Sequence, residues 1–304
     1  MAQRWYKGNT HTHTTYSDGD SPPEVVVDWY AEHGYDFLFL TDHNVIIPDD
    51  HLARLQRRGL AIWQGEEVTM AAVHVNGLGL RETIMPEQPG SSLREGEVTE
   101  GRAERIRWAV ERILAQNGVA HVNHPNFMWA LTVDDLLDAG DFGLMEVANG
   151  HNLVSNLGDD EHPSTEALWD HLLTAGRRVW GVASDDAHHF RHWGDDWANP
   201  GRGWLQVEAE SDRMADILEA VRAGRFYASS GLELAAYETD RSAIRLELAD
   251  DAALFELLGH GGEILDRAEG TAARFSIPGG LGGYVRLRAT ATDGRQLWTQ
   301  PRFL

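Results

Sequence analysis

Short apolar runs that close on polar residues recur through the first two-thirds of the chain, and helical patterns separate most of them. The segment 37–43, FLFLTDH, is unbroken in its apolar part, which predicts a strand buried on both faces, as in a parallel sheet. Comparable runs lie at 61–67 (AIWQGEE), 73–80 (VHVNGLGL), 118–124 (GVAHVNH), 143–149 (GLMEVAN) and 179–188 (VWGVASDDAH). Helices are predicted over 22–33, entered through Pro22-Pro23 and stopped at Gly34, and over 49–58 before Gly59. Another is predicted over 100–117, with Ala103, Ile106, Val110, Ile113 and Leu114 on one stripe. Further helices are expected over 133–139 behind Thr132, 165–175 and 212–223.

Such alternation over about 225 residues implies an α/β fold with a parallel sheet. The polar residues gather at C-terminal strand ends, where β/α barrels place their active sites. No Gly-rich dinucleotide or phosphate-binding loop follows the first strand, so a barrel is favoured over an open doubly wound sheet. After about residue 238 the texture changes. Segments 244–248, 273–277 and 284–291 are β-rich, and Gly-Gly pairs at 261–262, 279–280 and 282–283 mark turns. The expected organisation is a catalytic domain over 1–238 and a small β-rich C-terminal module over 239–304. The stretch 86–101, PEQPGSSLREGEVTEG, reads as a polar loop.

Composition narrows the chemistry. There are no cysteines, so disulfides, thiolate metal sites and a cysteine nucleophile are excluded. The formal charge of −22 disfavours a polyanionic partner, because phosphate backbones are held by Lys and Arg. No nucleic acid partner is therefore expected. No apolar run is long enough for a membrane helix, and MAQRWYKGNTHTH lacks the apolar stretch of a secretory signal, so a cytoplasmic location is expected. All of the 15 histidines except His260 lie within residues 1–192, which places the chemistry in the first two-thirds.

Two doublets stand out. In His11-Thr12-His13 and in Asp186-Ala187-His188 the i and i+2 side chains of a strand point the same way. Between them, His43 ends the most apolar strand in Thr41-Asp42-His43, where a charged dyad is costly unless solvated or coordinated. Asp42 is a candidate for orienting a ligand histidine. Glu66 and Glu67 end another run, and spacing alone does not choose between them. His74 begins the next strand, and His124 ends a strand before Pro125, with His121 expected to face away. Asp18 follows the first doublet on a tight turn. Asn149, His151 and His189 are candidates for the pocket wall, and Arg202, between two glycines, is the candidate anion contact. Oxygen and imidazole ligands delivered from several strand ends to one place point to a multi-metal hydrolytic site.

The motifs HTHTTYSDGD, FLFLTDHN, QGEEVT with VHVNGLG, HVNHPN and ASDDAH resemble, in order, those of the PHP (polymerase and histidinol phosphatase) superfamily over about residues 8–230. The resemblance implies a distorted (β/α)7 TIM-like barrel holding two or three divalent ions of zinc, manganese or iron. It selects Glu67 over Glu66 as the bridging carboxylate. It implies one metal on His11, His13, Glu67 and Asp186, a second on Glu67, His74 and His124, and a third on Asp18, His43 and His188. Glu67, Asp186 and His188 become the expected catalytic residues. The doubled Asp185-Asp186, GRFYASSG at 224–231 and WTQP at 298–301 look like the CehA/McbA-like branch, which is associated with carbamate and ester hydrolysis as well as phosphoesterases.

The leading expectation is a phosphoesterase that uses a metal-bridged hydroxide on a small phosphate mono- or diester. The alternative is a carbamate or carboxylic ester hydrolase with the same site, and a third reading is a non-catalytic metal-binding scaffold. Arg202 suits the first, whereas Trp129, Trp193 and Trp197 suit an aryl group.

Overall fold

The computed structural model describes residues 4–87, 101–240, 242–277 and 279–304, so most of the polar loop expected at 86–101 lies outside the described residues. The first part of the chain runs β1 (Arg4–Asn9), α1 (Pro23–Glu32), β2 (Phe37–Leu40), α2 (Asp49–Leu55), β3 (Ala61–Met70), β4 (Val73–Leu78), α3 (Arg102–Ala115), β5 (Val119–Val122), α4 (Val133–Asp138), β6 (Leu144–Asn149), α5 (Thr165–Thr174) and β7 (Trp180–Ser184). It continues with β8 (Trp204–Ala209), α6 (Met214–Arg222) and β9 (Phe226–Ser229).

Local chemistry explains the helix boundaries. Pro23 opens α1, where a missing N–H costs nothing, and Gly34 follows its end in the left-handed region at φ 74°. Thr132 and Asp135 form a reciprocal capping box at the start of α4. The Ser164 hydroxyl accepts the Ala167 N–H at 3.0 Å and so caps α5.

The fold is a mixed α/β structure with a large, parallel-rich sheet. Strands β1, β2 and β3 are mutually parallel, as are β5, β6 and β7. One expectation is corrected here. Residues 73–80 do not continue the parallel succession, because β4 pairs antiparallel with both β3 and β5. The cause is the connection. Only Ala71 and Ala72 separate β3 from β4, with Ala72 at φ 65°, and a parallel crossover needs about a dozen residues or more. This reversal brings His74, at the start of β4, beside the C-terminal half of β3.

The segments just past β1 and β7 meet. Thr12, just past β1, forms a parallel bridge with Ala187, just past β7. The His13 N–H donates to the Ala187 carbonyl at 2.9 Å, and the Asp186 N–H donates to that of His11 at 2.9 Å. The two doublets are thus joined by backbone hydrogen bonds. The apolar runs form one core that includes Phe37, Phe39, Val75, Ile106, Met145 and Trp169, all essentially inaccessible to water.

The C-terminal region contains β10 (Leu234–Thr239), β11 (Ala243–Leu248), β12 (Ala253–Leu258), β13 (Ile264–Gly270), β14 (Ala272–Ser276), β15 (Tyr284–Ala291), β16 (Gln296–Thr299) and β17 (Arg302–Phe303). Strands β10, β11 and β14 form a small antiparallel sheet, and β13, β12, β15 and β16 run on through β9 and β8 into β1. This region has its own core, with Ile244, Leu246, Phe255, Phe275 and Leu287. It is anchored by a buried ionic network. Arg286 is inaccessible to water, and its guanidinium reaches Asp170 Oδ1 at 2.9 Å, Asp170 Oδ2 at 2.5 Å and Glu166 Oε1 at 2.6 Å on α5. Arg288 pairs with Glu166 and Glu256. The Gln300 side chain completes a reciprocal pair with the Gly181 backbone on β7. Among the described residues, no helix is long and apolar enough to cross a membrane.

Candidate metal centre

The sheet delivers nine side chains to one place. His11, His13, Asp18, His43, Glu67, His74, His124, Asp186 and His188 fall into overlapping groups whose ligand atoms lie within 4.8 Å of one another. His11 Nε2 is 3.1 Å from His13 Nε2 and 3.1 Å from Asp186 Oδ1. His13 Nε2 is 3.3 Å from the same Asp186 oxygen. Glu67 lies at the centre. Its Oε1 is 3.4 Å from His11 Nε2, 3.0 Å from His74 Nδ1 and 3.3 Å from His124 Nε2. Its Oε2 is 3.4 Å from His13 Nε2 and 2.8 Å from His43 Nδ1. Asp18 closes the outer side, 3.4 Å from His43 Nε2 and 3.3 Å from His188 Nε2.

Strand alternation decides between the paired glutamates. Glu67 points into the cluster, whereas Glu66 faces the other side and accepts the Ile84 N–H at 2.8 Å. Burial pushes the Glu66 carboxyl up to about 8. Burial opposes ionisation at Glu67 as well, but His43, His11 and His74 outweigh it and hold that carboxyl well below its ordinary range. At His13, burial together with His188 and His43 lowers the imidazole to about 3. At His11, burial is outweighed by Asp186, Glu67 and Glu146, and the imidazole is raised.

The donor set fits divalent cations. Two imidazole Nε2 atoms, at His11 and His13, meet edge to edge around carboxylates with no Lys or Arg among the contacts. Glu67 Oε2 is buried without an aligned hydrogen bond, although His43 Nδ1 is close. Imidazole nitrogens and carboxylate oxygens converging in this way are the ligand types of zinc, manganese and iron. Two of the nine residues also hold unusual backbone conformations, His124 at φ 23° and Asp186 at φ 48°. Such strain in non-glycine residues persists only where the surroundings impose it.

A second layer positions these side chains. Asn123 donates to Glu67 Oε1 at 2.7 Å and to Asn76 Oδ1 at 3.0 Å. Asp42, a candidate for orienting a histidine, binds the Thr14 and Ser17 N–H groups and hydroxyls instead, and so shapes the turn that presents Asp18. His121 points inward, 2.6 Å from Asn123 Oδ1 through its Nδ1 and 3.9 Å from Glu146 Oε1 through its Nε2. Asp185 turns away from the cluster. It accepts the Tyr30 hydroxyl at 2.8 Å and the N–H groups of Arg202 and Gly203 at 2.7 and 2.9 Å.

Glu146 escaped the sequence reading. It is fully buried on β6, with Oε1 2.8 Å from His11 Nδ1 and bonded by the Ser184 hydroxyl. Its Oε2 accepts the His124 N–H at 2.5 Å and the Asn149 amide at 2.8 Å. The available signal was a carboxylate in the middle of an otherwise apolar strand, GLMEVAN, where a charge needs a partner.

The proposed wall residues lie around the cluster. The Asn149 amide donates to Asp186 Oδ2 at 3.1 Å. The His151 ring is centred 5.3 Å from that of His188. His189 packs edge-on against Trp197, 4.8 Å away. Arg202 does not touch the ligands, and its guanidinium binds the carbonyls of Gly150 and Gly194 at 3.2 and 2.8 Å.

Neither family profiles nor curated proteins give a match to the chain. Solved structures do. A two-domain protein from Bacteroides vulgatus ATCC 8482 containing a predicted PHP-like metal-dependent phosphoesterase aligns over 99% of this chain and 95% of its own, with TM-score 0.52 and 17% identity. An amidohydrolase from Chromobacterium violaceum, with bound sulfate and no metal, aligns over 72% of this chain and 96% of its own at 19% identity and TM-score 0.41. At these identities the likeness to the Bacteroides protein is one of fold, and it takes in the C-terminal region as well as the sheet that carries the candidate ligands.

Proposed function

We propose that the chain is a metal-dependent hydrolase of the PHP type that acts on a small phosphate mono- or diester. The observation that supports this most strongly is the convergence of nine imidazole and carboxylate side chains, with the two oxygens of Glu67 facing five of the imidazoles. In this reading the part through β9 forms a distorted seven-stranded barrel closed through Thr12 and Ala187, and the C-terminal module expected over 239–304 begins with β10 at Leu234 and packs on it.

His11, His13, Glu67 and Asp186 would hold one ion, Glu67 with His74 and His124 a second, and Asp18 with His43 and His188 a third. Divalent ions bound there would supply Lewis acidity and a lowered water pKa. The chain's own groups do the positioning. Glu146 fixes the ring of His11, Asn123 fixes the carboxylate of Glu67, and Asn149 holds Asp186. Burial of the inner ligands keeps bulk water from screening them. His189 and His192 follow in the loop after β7, where a leaving oxygen would need a proton donor.

A second reading, hydrolysis of a carbamate or carboxylic ester, is favoured by one feature. Trp197 packs against His189 and stacks with His192 in the loop after β7, an aromatic wall beside the ligands. Aryl phosphate mono- and diesters assayed beside 1-naphthyl carbamates, with protein loaded with manganese, iron or zinc, separate the two. The proposal expects phosphate ester hydrolysis that disappears in Glu67→Ala. Hydrolysis of the carbamates alone would favour the second reading, and full activity in Glu67→Ala would remove the first.

A further inference from the structure

On the outer side of β6 a cavity of about 480 Å³ opens between the loop after that strand and the C-terminal region. Asn149 and His151 line it and also touch the ligand cluster, so it adjoins the candidate metal centre. Its far wall comes from the C-terminal region, through Arg288, Gln296 and Trp298.

The charges around this cavity are unequal. Glu166 and Arg288 both line it, and Arg288 is neutralised by Glu166 and Glu256. Arg202 also lines it and has no carboxylate within ion-pair distance of its guanidinium among the described residues. Its Nη1 and Nη2 donate to the carbonyls of Gly150 and Gly194, and Nη2 reaches Asn199 Oδ1 at 3.4 Å. A guanidinium has five N–H donors. The Nε–H and one Nη1–H of Arg202 are therefore left without a partner among the described residues.

The placement of Arg202 is built in. The buried Asp185 carboxylate binds its backbone N–H, and the Tyr30 hydroxyl, itself bonded by Asn9, binds the other Asp185 oxygen. Gly150 has room only for hydrogen, since a Cβ there would lie 2.8 Å from Arg202 Cβ and 2.8 Å from the Asp185 carbonyl oxygen. A guanidinium held at its backbone and at two carbonyls is preorganised for an oxyanion, and little entropy is lost on binding.

We propose that this cavity is a subsite for the non-reacting end of the substrate, and that Arg202 binds a second anionic group there. The inference rests on the hydrolase reading for the word substrate, and it narrows that substrate to small esters with a carboxylate or comparable oxyanion remote from the scissile bond. The doubled aspartate then has a role, because Asp185 is the positioning residue that sets Arg202.

The test uses manganese-loaded protein in the wild type, Arg202→Met and Arg202→Lys, with thermal melts to verify folding. Calorimetric titration compares benzoate with benzamide, and kinetics compare 4-carboxyphenyl phosphate with phenyl phosphate. The wild type is expected to bind benzoate about tenfold or more tightly than benzamide, and to favour the carboxylated ester by a similar factor, mainly in KM. Arg202→Met abolishes both preferences, and Arg202→Lys keeps part of each, because charge survives without the fork. Equal loss on both esters would place Arg202 on the reacting phosphate and overturn the proposal, as would benzoate binding that ignores the substitution or fails in the wild type. Benzoate binding that depends on Arg202 while neither ester is hydrolysed would keep the subsite and remove the phosphoesterase reading.

Discussion

Glu146 Oε1 lies 2.8 Å from His11 Nδ1, at the inner end of a buried ring whose other nitrogen faces Asp186, His13 and Glu67. In the neutral ring that would hold a metal, the carboxylate would keep the proton on Nδ1 and leave Nε2 free as a ligand, the usual relationship between a metal-bound histidine and its outer partner. Because Glu146 also holds the His124 N–H and the Asn149 amide, it couples three strand ends.

Glu146→Gln therefore lowers metal affinity by about 10- to 100-fold while the protein remains folded. Competition titration with a metallochromic chelator measures the affinity, and circular dichroism verifies the fold. An affinity equal to that of the wild type would show that His11 needs no outer partner.

The adjacent aspartates separate into two roles. Asp186→Asn is expected to weaken a proposed ligand and to reduce the metal content of the protein. Asp185→Ala leaves the Tyr30, Arg202 and Gly203 donors without their acceptor and costs about 2–4 kcal/mol of stability. Urea unfolding together with elemental analysis distinguishes them, and reduced metal content without destabilisation in Asp185→Ala would contradict this division.

The paired glutamates divide by face. Glu66→Gln keeps the acceptor for the Ile84 N–H and leaves metal content unchanged. Glu67→Gln removes the charge that five imidazoles face and is expected to lower metal content. Equal losses in the two variants would mean that the β3 register places both carboxylates at the centre.

The attachment of the C-terminal region is expected to be acid-labile. Burial opposes ionisation of Glu166, but Arg286 and Arg288 outweigh it and hold the carboxyl below its ordinary range. A carboxyl lowered in the folded state contributes stability that is complete above its unfolded value of about 4.3–4.5 and lost as pH falls through the folded value. Urea midpoints in the wild type should drop below about pH 4.5. Glu166→Gln should lose about 3 kcal/mol at neutral pH and show a shallower acid slope. Parallel slopes would place the acid sensitivity elsewhere.

What the sequence revealed depended on how local the cause was. The run 37–40 is buried at every position, and the capping box at Thr132 and Asp135 is formed, because both are set by a few adjacent residues. The direction of β4 was not legible from its apolar pattern, which is the same in either orientation, although the two-residue connection before it would have shown the reversal. The same-facing doublets at 11–13 and 186–188 follow from strand geometry, and the structure brings them together through Thr12 and Ala187. The partners of Glu146 and of the Tyr30–Asp185–Arg202 chain were out of reach for a different reason. They lie more than a hundred residues away in several cases, and nothing local marks a carboxylate that supports a ligand rather than being one.

The most direct test of the account is a titration of stripped protein with Mn²⁺, following hydrolysis of 4-nitrophenyl phosphate and its bis-ester at each addition. The account predicts a rate that rises from the uncatalysed level and reaches a plateau at about two to three equivalents per chain, consistent with a multi-metal site. A rate that stays at the uncatalysed level through saturation, with both esters and again with Zn²⁺ and Fe²⁺, would contradict it.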